Sequence, residues 1–176
     1  MKLVIPTLED VRAIRLWRND CLVSLRTSYE LAEEMQDHFY KETLCNRSSP
    51  DRYWSAYKGD KLIGFCGITN IQRENRIGEI SLIVNPKYRN EKFGNKIVDL
   101  ILDKAFNYLN LKTVEGECYF CNPAKLFWEK ITKKYNGYYT ILSNRKFWEG
   151  HYHNSYYFSI DEASFNRIYN KFEKPD

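Results

Sequence analysis

The sequence has 176 residues, which suits a single domain spanning residues 1–176, and its 43% hydrophobic and 16% aromatic residues exclude a wholly disordered chain. Its net charge of +4 arises from scattered residues, 27 Lys and Arg against 23 Asp and Glu, so the composition does not indicate a nucleic-acid-binding protein. The apolar stretches are far shorter than the ~20 residues of a membrane-spanning helix, and the five cysteines lack the spacing of a disulfide framework. We therefore expect a protein outside the membrane, in the reducing cytoplasm.

The first half of the chain is predicted to combine strands with two helices. Thr7 and Asp10 form a capping-box-like pair at the start of a helix. Apolar residues four apart predict a second helix from about Tyr29 to Leu44. The polar segment 46–51 is predicted to be a loop that connects elements. Strands are predicted at four places, namely 2–5, 52–57, 61–71 and 77–84.

The second half contains the clearest helical signal in the sequence. Residues 93–109 carry one continuous apolar stripe at helical spacing. A strand at 113–121 follows, and Asn122 as the N-cap with Pro123 as the first residue predicts a helix to about Lys133. The chain then continues with an aromatic-rich hairpin, 138–147 and 152–160, and a last helix capped by Asp161. This order of elements indicates a mixed α/β domain.

The junction of the fourth strand with the strongest helix is the most informative segment, and we call Asn85–Gly94 the phosphate turn. Backbone N–H groups in the first turn of a helix lack intrahelical partners, and the helix dipole adds partial positive charge there. Such a terminus suits a phosphate or pyrophosphate, and Gly94 would let the ligand approach without a Cβ in the way. Basic residues add positive charge, namely Arg89, Lys92 and Lys96. A plain strand–turn–helix with a solvated basic turn is the alternative interpretation.

The turn also resembles a known family. Arg89-Asn90-Glu91-Lys92-Phe93-Gly94 resembles the Arg/Gln-x-x-Gly-x-Gly/Ala signature of the GNAT superfamily of acyl-CoA-dependent N-acyltransferases. The segment 122–130 resembles the family's Asn-x-x-Ala…Tyr-Glu-Lys helix, and the order of elements matches from residue 2 to about 160. The resemblance implies a GNAT-type mixed α/β fold with a mostly antiparallel central sheet of about seven strands, flanked by helices, here with an extra C-terminal helix. It also implies that acetyl-CoA is the acetyl donor and cosubstrate.

The resemblance assigns a set of cofactor-binding residues and shows two departures from the family pattern. The cofactor-binding residues that it implies are Leu82, Ile83, Val84, Arg89, Asn90, Lys92, Phe93, Gly94, Asn95, Asn122 and Lys125. Lys92 stands where the first glycine of the signature is usual. Trp128 stands where the family often has a tyrosine that protonates the leaving thiolate, and an indole N–H is a very poor acid.

Transfer to an amine requires a group that takes up the amine's proton, because a lysine-like amine has a pKa near ~10.4. Glu79, on the strand that enters the phosphate turn, is the predicted base, although a strand-surface glutamate paired with a lysine explains it equally well. Ser81 lies on the same face of the strand and could orient a water between Glu79 and the amine. Tyr119 is the predicted substitute for the missing acid, with Tyr138 and Tyr139 as alternatives, and any of them can instead serve packing.

The acceptor is indicated only by weaker similarities. Residues 15–19 and 150–154 resemble the GNAT branch that acetylates ribosomal-protein N-termini, nucleotide-sugar amines and aminoglycosides. The implied acceptor is a small-molecule amine or a protein N-terminus, bound by Arg18, Asn19 and Arg26. Two alternatives stay open, an acyl-CoA-binding module without turnover and a protein that modifies or binds nucleic acid.

The remaining predictions concern metals and assembly. Strand alternation puts Cys118 and Cys121 on opposite faces, so we expect no metal site. The aromatic-rich hairpin near the C-terminus would suit the edge of a core or a contact between two copies of the chain, so a homodimer is one expected assembly.

Overall fold

The computed structural model describes residues 1–172, so the last four residues of the predicted domain 1–176 lie outside the described residues. The strands are β1 (Lys2–Val4), β2 (Arg52–Lys58), β3 (Lys61–Gln72), β4 (Ile77–Val84), β5 (Thr113–Tyr119), β6 (Tyr138–Trp148) and β7 (His151–Asp161). The helices are α1 (Leu8–Asn19), α2 (Glu33–Phe39), α3 (Phe93–Asp103), α4 (Lys125–Lys134) and α5 (Glu162–Phe172). Within residues 1–172, no helix combines the length and the apolar character needed to cross a membrane.

The seven strands form one mixed sheet in the order β1-β2-β3-β4-β5-β7-β6. Every neighbouring pair is antiparallel except β4 and β5, which run parallel. Helix α3 packs on β3 and β4, while α4 and α5 pack on β7. The predicted architecture is therefore confirmed, including the mostly antiparallel seven-stranded sheet and the extra C-terminal helix.

The parallel pair β4–β5 is short, and this shapes the centre of the sheet. Its pairing covers 77–79 of β4 and 113–115 of β5. Beyond Glu79 and Glu115, both strands continue, but within the described chain they pair only with their outer neighbours β3 and β7. We call the region between residues 80–84 and 116–119, which do not pair with each other, the wedge. Its two facing edges leave backbone N–H and C=O groups available to a ligand.

The sheet has two differently covered faces. On one face, the apolar stripe of α3 is buried in the main core, as its periodicity predicts. On the other face, Asp10 of α1 accepts hydrogen bonds from Ser55 at 2.8 Å and from Tyr57 at 2.5 Å, which fastens this helix to β2. The predicted capping box is confirmed, because Thr7 and Asp10 each accept the other's backbone N–H, at 3.1 and 3.0 Å.

Two helices differ from their predicted bounds. The second helix begins at Glu33 rather than Tyr29, because Ala32 is still extended with φ −71° and ψ 161°. From Tyr40 to Leu44 its turns widen to π geometry, and the helix predicted at 93–109 changes in the same way after Asp103. Apolar periodicity predicted that these segments are helical but not where each α-helix ends.

The predicted N-cap at Asn122 is wrong. Strand β5 ends at Tyr119 rather than at 121, and α4 begins at Lys125 after Ala124. The Asn122 side chain accepts the N–H of Ala124 at 2.8 Å, which makes a local turn before the helix. Asn122 therefore shapes the approach to α4 rather than capping it.

Candidate active site

The phosphate turn connects β4 to α3 through a short 3₁₀ turn and two residues with a left-handed backbone. A short 3₁₀ turn, Pro86–Tyr88, is started by Asn85, whose side chain accepts the N–H of Lys87 at 3.0 Å. Asn90 and Lys92 then have positive φ angles of 69° and 61°. Such turns form concavities of backbone N–H groups that bind anions.

The backbone at Lys92 has the conformation that favours the glycine usual at this position of the family signature. Lys92 is the N-cap of α3 in the left-handed conformation, a region that glycine adopts most easily. Its side chain makes no capping hydrogen bond to the first turn of α3. An ammonium group cannot accept a hydrogen bond, so Lys92 leaves the first N–H groups of α3 uncapped, which suits a bound anion.

Gly94 has a packing role inside the protein. A Cβ at this position would lie 3.1 Å from the Phe127 ring of α4, which is closer than ordinary van der Waals contact. The glycine therefore allows α3 and α4 to approach each other at the phosphate turn. This intramolecular reason stands beside the predicted one, the approach of a ligand.

Other predicted cofactor residues have partners in the structure. Lys125 pairs with Glu129 and lies over the Phe120 ring, 4.8 Å from its centroid. Asn122 donates to the carbonyl of Ser24 at 3.4 Å. The remaining ones lie along β4, the phosphate turn and the first turn of α3: Leu82, Ile83, Val84, Arg89, Asn90, Lys92, Phe93 and Asn95.

Three glutamates line the start of the wedge, and we call Glu79, Glu115 and Glu117 the carboxylate row. Glu79 and Glu115 are partners in the parallel register, and Glu117 follows two residues later on the same face. By the same alternation, Ser81 shares the face of Glu79 and Tyr119 shares that of Glu117. The row therefore gathers carboxylates from two strands.

Arg26 bridges two members of the carboxylate row, Glu79 on β4 and Glu117 on β5. Its guanidinium donates to Glu79 at 2.5 and 3.2 Å and lies 3.5 Å from Glu117. Asn70 also donates to Glu79, at 2.9 Å. The partner of Glu79 is thus an arginine rather than the lysine of the alternative interpretation.

The other two carboxylates are held by the neighbouring strands. Glu117 accepts from Arg145 at 2.9 Å and from Ser155 at 2.7 Å, while Glu115 accepts from Tyr157. Burial pulls the pKa of Glu117 upward, but these hydrogen bonds and the two nearby guanidiniums outweigh it and hold the pKa below its usual value. Among residues 1–172, the row's ion pairs come from two arginines and leave Glu115 without one.

Tyr119 is the predicted acid that lies beside the carboxylate row. Burial raises the pKa of its phenol, and a hydrogen bond with Arg26 offsets only part of this shift. The phenol therefore keeps its proton at neutral pH. The alternatives Tyr138 and Tyr139 are 75% and 66% exposed on the edge strand β6, away from the wedge.

Trp128 occupies the family's tyrosine position as a core residue. Its indole is 9% exposed and stacks on Phe158, with ring centroids 5.2 Å apart. It also meets the Phe127 ring edge-on at 5.0 Å. This side chain serves packing, so it leaves the acid role to another group.

Of the three predicted acceptor-binding residues, only Arg26 contacts the carboxylate row. Asn19 uses both polar atoms of its side chain on the backbone of Leu31, at 2.9 and 3.1 Å, and so holds the segment before α2. Arg18 lies near Tyr53 and Cys21, whose thiol pKa is raised by burial. Substrate binding by Arg18 and Asn19 stays a prediction.

Sequence reasoning missed several residues at the site. They are Glu115, Glu117, Arg145, Lys146, Ser155 and Tyr157. The alternation of Glu115, Glu117 and Tyr119 along β5 was the signal that could have found the first two.

Comparison with known proteins decides the family. The model of the acetyltransferase (GNAT) family matches residues 11–132, more than half of the chain. The chain belongs to the acetyltransferase (GNAT) family. It is therefore an acetyl-CoA-dependent N-acetyltransferase, as the motifs predict. Among curated proteins, none matches this sequence.

Solved structures of spermidine N-acetyltransferase from Vibrio cholerae share the fold of this acetyltransferase. The complex with CoA and spermine is 18% identical, with a TM-score of 0.82, and the match covers 93% of this chain and 96% of that one. A point mutant is 20% identical, with a TM-score of 0.79 and coverage of 98% and 100%. At these identities, the likeness shows the fold alone.

Proposed function

We propose that this acetyltransferase transfers an acetyl group from acetyl-CoA to an amine that carries at least one further positive charge, such as a diamine or polyamine. The carboxylate row supports this most directly, since three carboxylates face two guanidiniums in the described residues. The uncompensated negative charge favours a cation at the wedge. The spermine in the structurally similar complex is in keeping with such an acceptor.

The residues of the phosphate turn fit the cosubstrate. The uncapped first turn of α3 and the left-handed Asn90 and Lys92 present N–H groups suited to a pyrophosphate. The unpaired edges of the wedge suit the amide groups of an extended arm. When bound, acetyl-CoA supplies an activated acetyl thioester. The residues proposed to hold it are Leu82, Ile83, Val84, Arg89, Asn90, Lys92, Phe93, Gly94, Asn95, Asn122 and Lys125.

Glu79 is the proposed proton acceptor. Its Oε2 accepts from Arg26 and Asn70, whereas its Oε1 accepts only from Arg26 among these donors. A carboxylate oxygen can accept two hydrogen bonds, so Oε1 has room for one more donor. That donor is the acceptor's ammonium group, or a water that Ser81 orients between them.

Tyr119 is the proposed donor to the leaving thiolate. Burial raises the pKa of its phenol, so the hydroxyl is protonated at neutral pH and has a proton to donate. Its position on the face of Glu117 puts it at the same side of the wedge as the carboxylate row. The acid and the base then act from two different strands, β5 and β4.

An acceptor panel tests the proposal through the release of free CoA thiol from acetyl-CoA. Spermidine should exceed butylamine at least tenfold in kcat/KM, which corresponds to ~1.4 kcal/mol, and added salt should narrow the gap. A peptide with a free N-terminus serves as the third acceptor. Equal rates for both amines, a preference for the peptide, or tight binding of acetyl-CoA without thiol release would each contradict the proposal.

A further inference from the structure

The edge strand β6 has one buried residue, and that residue is a lysine. Lys146 is 5% exposed, whereas its neighbours on the strand are exposed or half-buried. Lysine is rarely buried unless its ammonium group is paired or hydrogen-bonded. The position therefore needs a structural explanation.

A bulge in β6 turns this lysine inward. Leu142 pairs with Ser155 and Lys146 with His153, so residues 143–145 face the single residue Asn154. Asn144 has a φ of 56° and donates its N–H to the Asn154 side chain at 3.1 Å. Bulges commonly redirect a side chain, and here the redirected one is Lys146.

The ammonium group of Lys146 binds one distant loop, residues 22–28, which we call the acceptor loop. Its Nζ donates to the carbonyl of Leu22 at 3.3 Å, to Ser28 Oγ at 3.2 Å and to the carbonyl of Leu25. The nearest of these partners in sequence is 118 residues away. Arg26 lies between two of them, Leu25 and Ser28.

Side chains that follow β5 hold the first part of the same loop. Cys121 Sγ donates to the carbonyl of Val23 at 3.6 Å, and Asn122 Nδ2 donates to that of Ser24 at 3.4 Å. Lys146 binds the loop on both sides of Arg26, at Leu25 and at Ser28. It also lies 5.3 Å from the centroid of the Tyr119 ring, which connects the loop to the proposed acid.

We propose that Lys146 is a positioning residue that fixes Arg26 between Glu79 and Glu117 and thereby sets the geometry of the acceptor site. The inference rests on the proposed function, in which the carboxylate row binds the acceptor amine. Burial lowers the pKa of the ammonium group, as expected for a cation held inside the protein. Displacements of about 1 Å can cost ~100-fold in rate. A more mobile Arg26 should therefore lower the rate of acetyl transfer.

The first test combines kinetics with a double-mutant cycle. Lys146→Met keeps all but the terminal atom of the side chain and removes its donors, and should lower kcat/KM for spermidine about tenfold while the Kd of acetyl-CoA stays within about twofold. In an Arg26→Met background, Lys146→Met should add nothing, because the lysine acts through Arg26. Losses that add independently, or an equal loss of acetyl-CoA affinity, would overturn the proposal. Lys61→Met, an exposed lysine in the β2–β3 hairpin, is the matched control.

Limited proteolysis supplies a readout that needs no turnover. Trypsin should cut after Arg26 several-fold faster in Lys146→Met than in the wild type, and Lys61→Met should match the wild type. Ser28→Ala, which removes one partner of Lys146, should give a smaller increase and covers the case in which Lys146→Met fails to fold. Unchanged cleavage in the folded variants would overturn the proposal that Lys146 holds the acceptor loop. A wild type that acetylates no amine would overturn the proposed function alone, since the cleavage rate still measures how firmly Lys146 holds the acceptor loop.

Discussion

Arg26 and Glu79 are 53 residues apart in the chain, yet their side chains form a two-point contact, with Nη2–Oε1 at 2.5 Å and Nη1–Oε2 at 3.2 Å. The contact joins the acceptor loop to β4 at the residue where β4 and β5 stop pairing. A planar guanidinium fixes the orientation of a carboxylate more firmly than a single donor does. The pair therefore holds the proposed proton acceptor in one orientation before any substrate binds.

The first prediction concerns that carboxylate. Glu79→Gln keeps the shape of the side chain but cannot take up a proton, so kcat for spermidine should fall by ~10²–10⁴. Titration calorimetry should give an unchanged Kd for acetyl-CoA, because the phosphate turn lies further along the chain. Glu74→Gln, on the exposed turn before β4, is the control and should behave as the wild type. A fully active Glu79→Gln enzyme would sink the assignment, and a loss of acetyl-CoA binding would make Glu79 structural.

The second prediction concerns the contact of the phosphate turn with α4. Even a single Cβ at residue 94 would approach the Phe127 ring to 3.1 Å, so the branched side chain of Gly94→Val must push the ring or the turn aside. The substitution should weaken acetyl-CoA binding at least tenfold, or ~1.4 kcal/mol, as measured by titration calorimetry. Adding Phe127→Leu should restore part of the affinity if the clash with the ring is the cause. Unchanged affinity in a folded Gly94→Val protein would remove the phosphate turn from the acetyl-CoA site.

The third prediction separates packing from chemistry at Trp128. Trp128→Ala should lower the free energy of unfolding by roughly 3–5 kcal/mol, because the indole is buried against Phe158. Trp128→Phe keeps most of the packing and should retain kcat within about threefold. A hundredfold loss of kcat in a stable Trp128→Phe protein would show instead that the indole takes part in the reaction.

The fourth prediction follows from the lowered pKa of Glu117. A carboxylate whose pKa is lower in the folded than in the unfolded state adds stability above the unfolded value, about 4.3, and loses it as the pH falls through the folded value. Urea unfolding at pH 7 should therefore show Glu117→Gln less stable than the wild type by roughly 1–3 kcal/mol. The difference should shrink in acid, below about pH 4. A difference that stays constant from pH 7 to pH 3 would contradict the ion-pair origin of the shift.

Local patterns in the sequence were sufficient to predict most of the fold. The capping box of Thr7 and Asp10 and the apolar stripe of α3 depend on residues three or four apart, so their spacing carries the information. The predicted ends of two helices were wrong, because the end of an element depends on single backbone angles. Ala32 is extended and Asn122 forms a turn, and neither conformation is encoded in apolar periodicity.

The assembled site could be predicted only in part. The phosphate turn is a continuous segment, so its resemblance to a family was visible, and Glu79 was predicted from its place on the strand that enters the turn. The contacts of Arg26 and Lys146 join segments 53 and at least 118 residues apart, and the bulge that turns Lys146 inward leaves no periodic signal. Such long-range hydrogen bonds emerge only when the strands take their register.

The most direct test of a site for a multiply charged amine uses Glu115, the carboxylate of the row without an ion pair in the described residues. Glu115→Gln keeps an acceptor for the Tyr157 hydroxyl and removes one negative charge. The measurement is the ratio of kcat/KM for spermidine to that for butylamine, in the wild type and in the variant. We predict that the ratio falls at least fivefold while the value for butylamine is unchanged. A ratio equal to that of the wild type, in a folded and active variant, would contradict the proposed acceptor site.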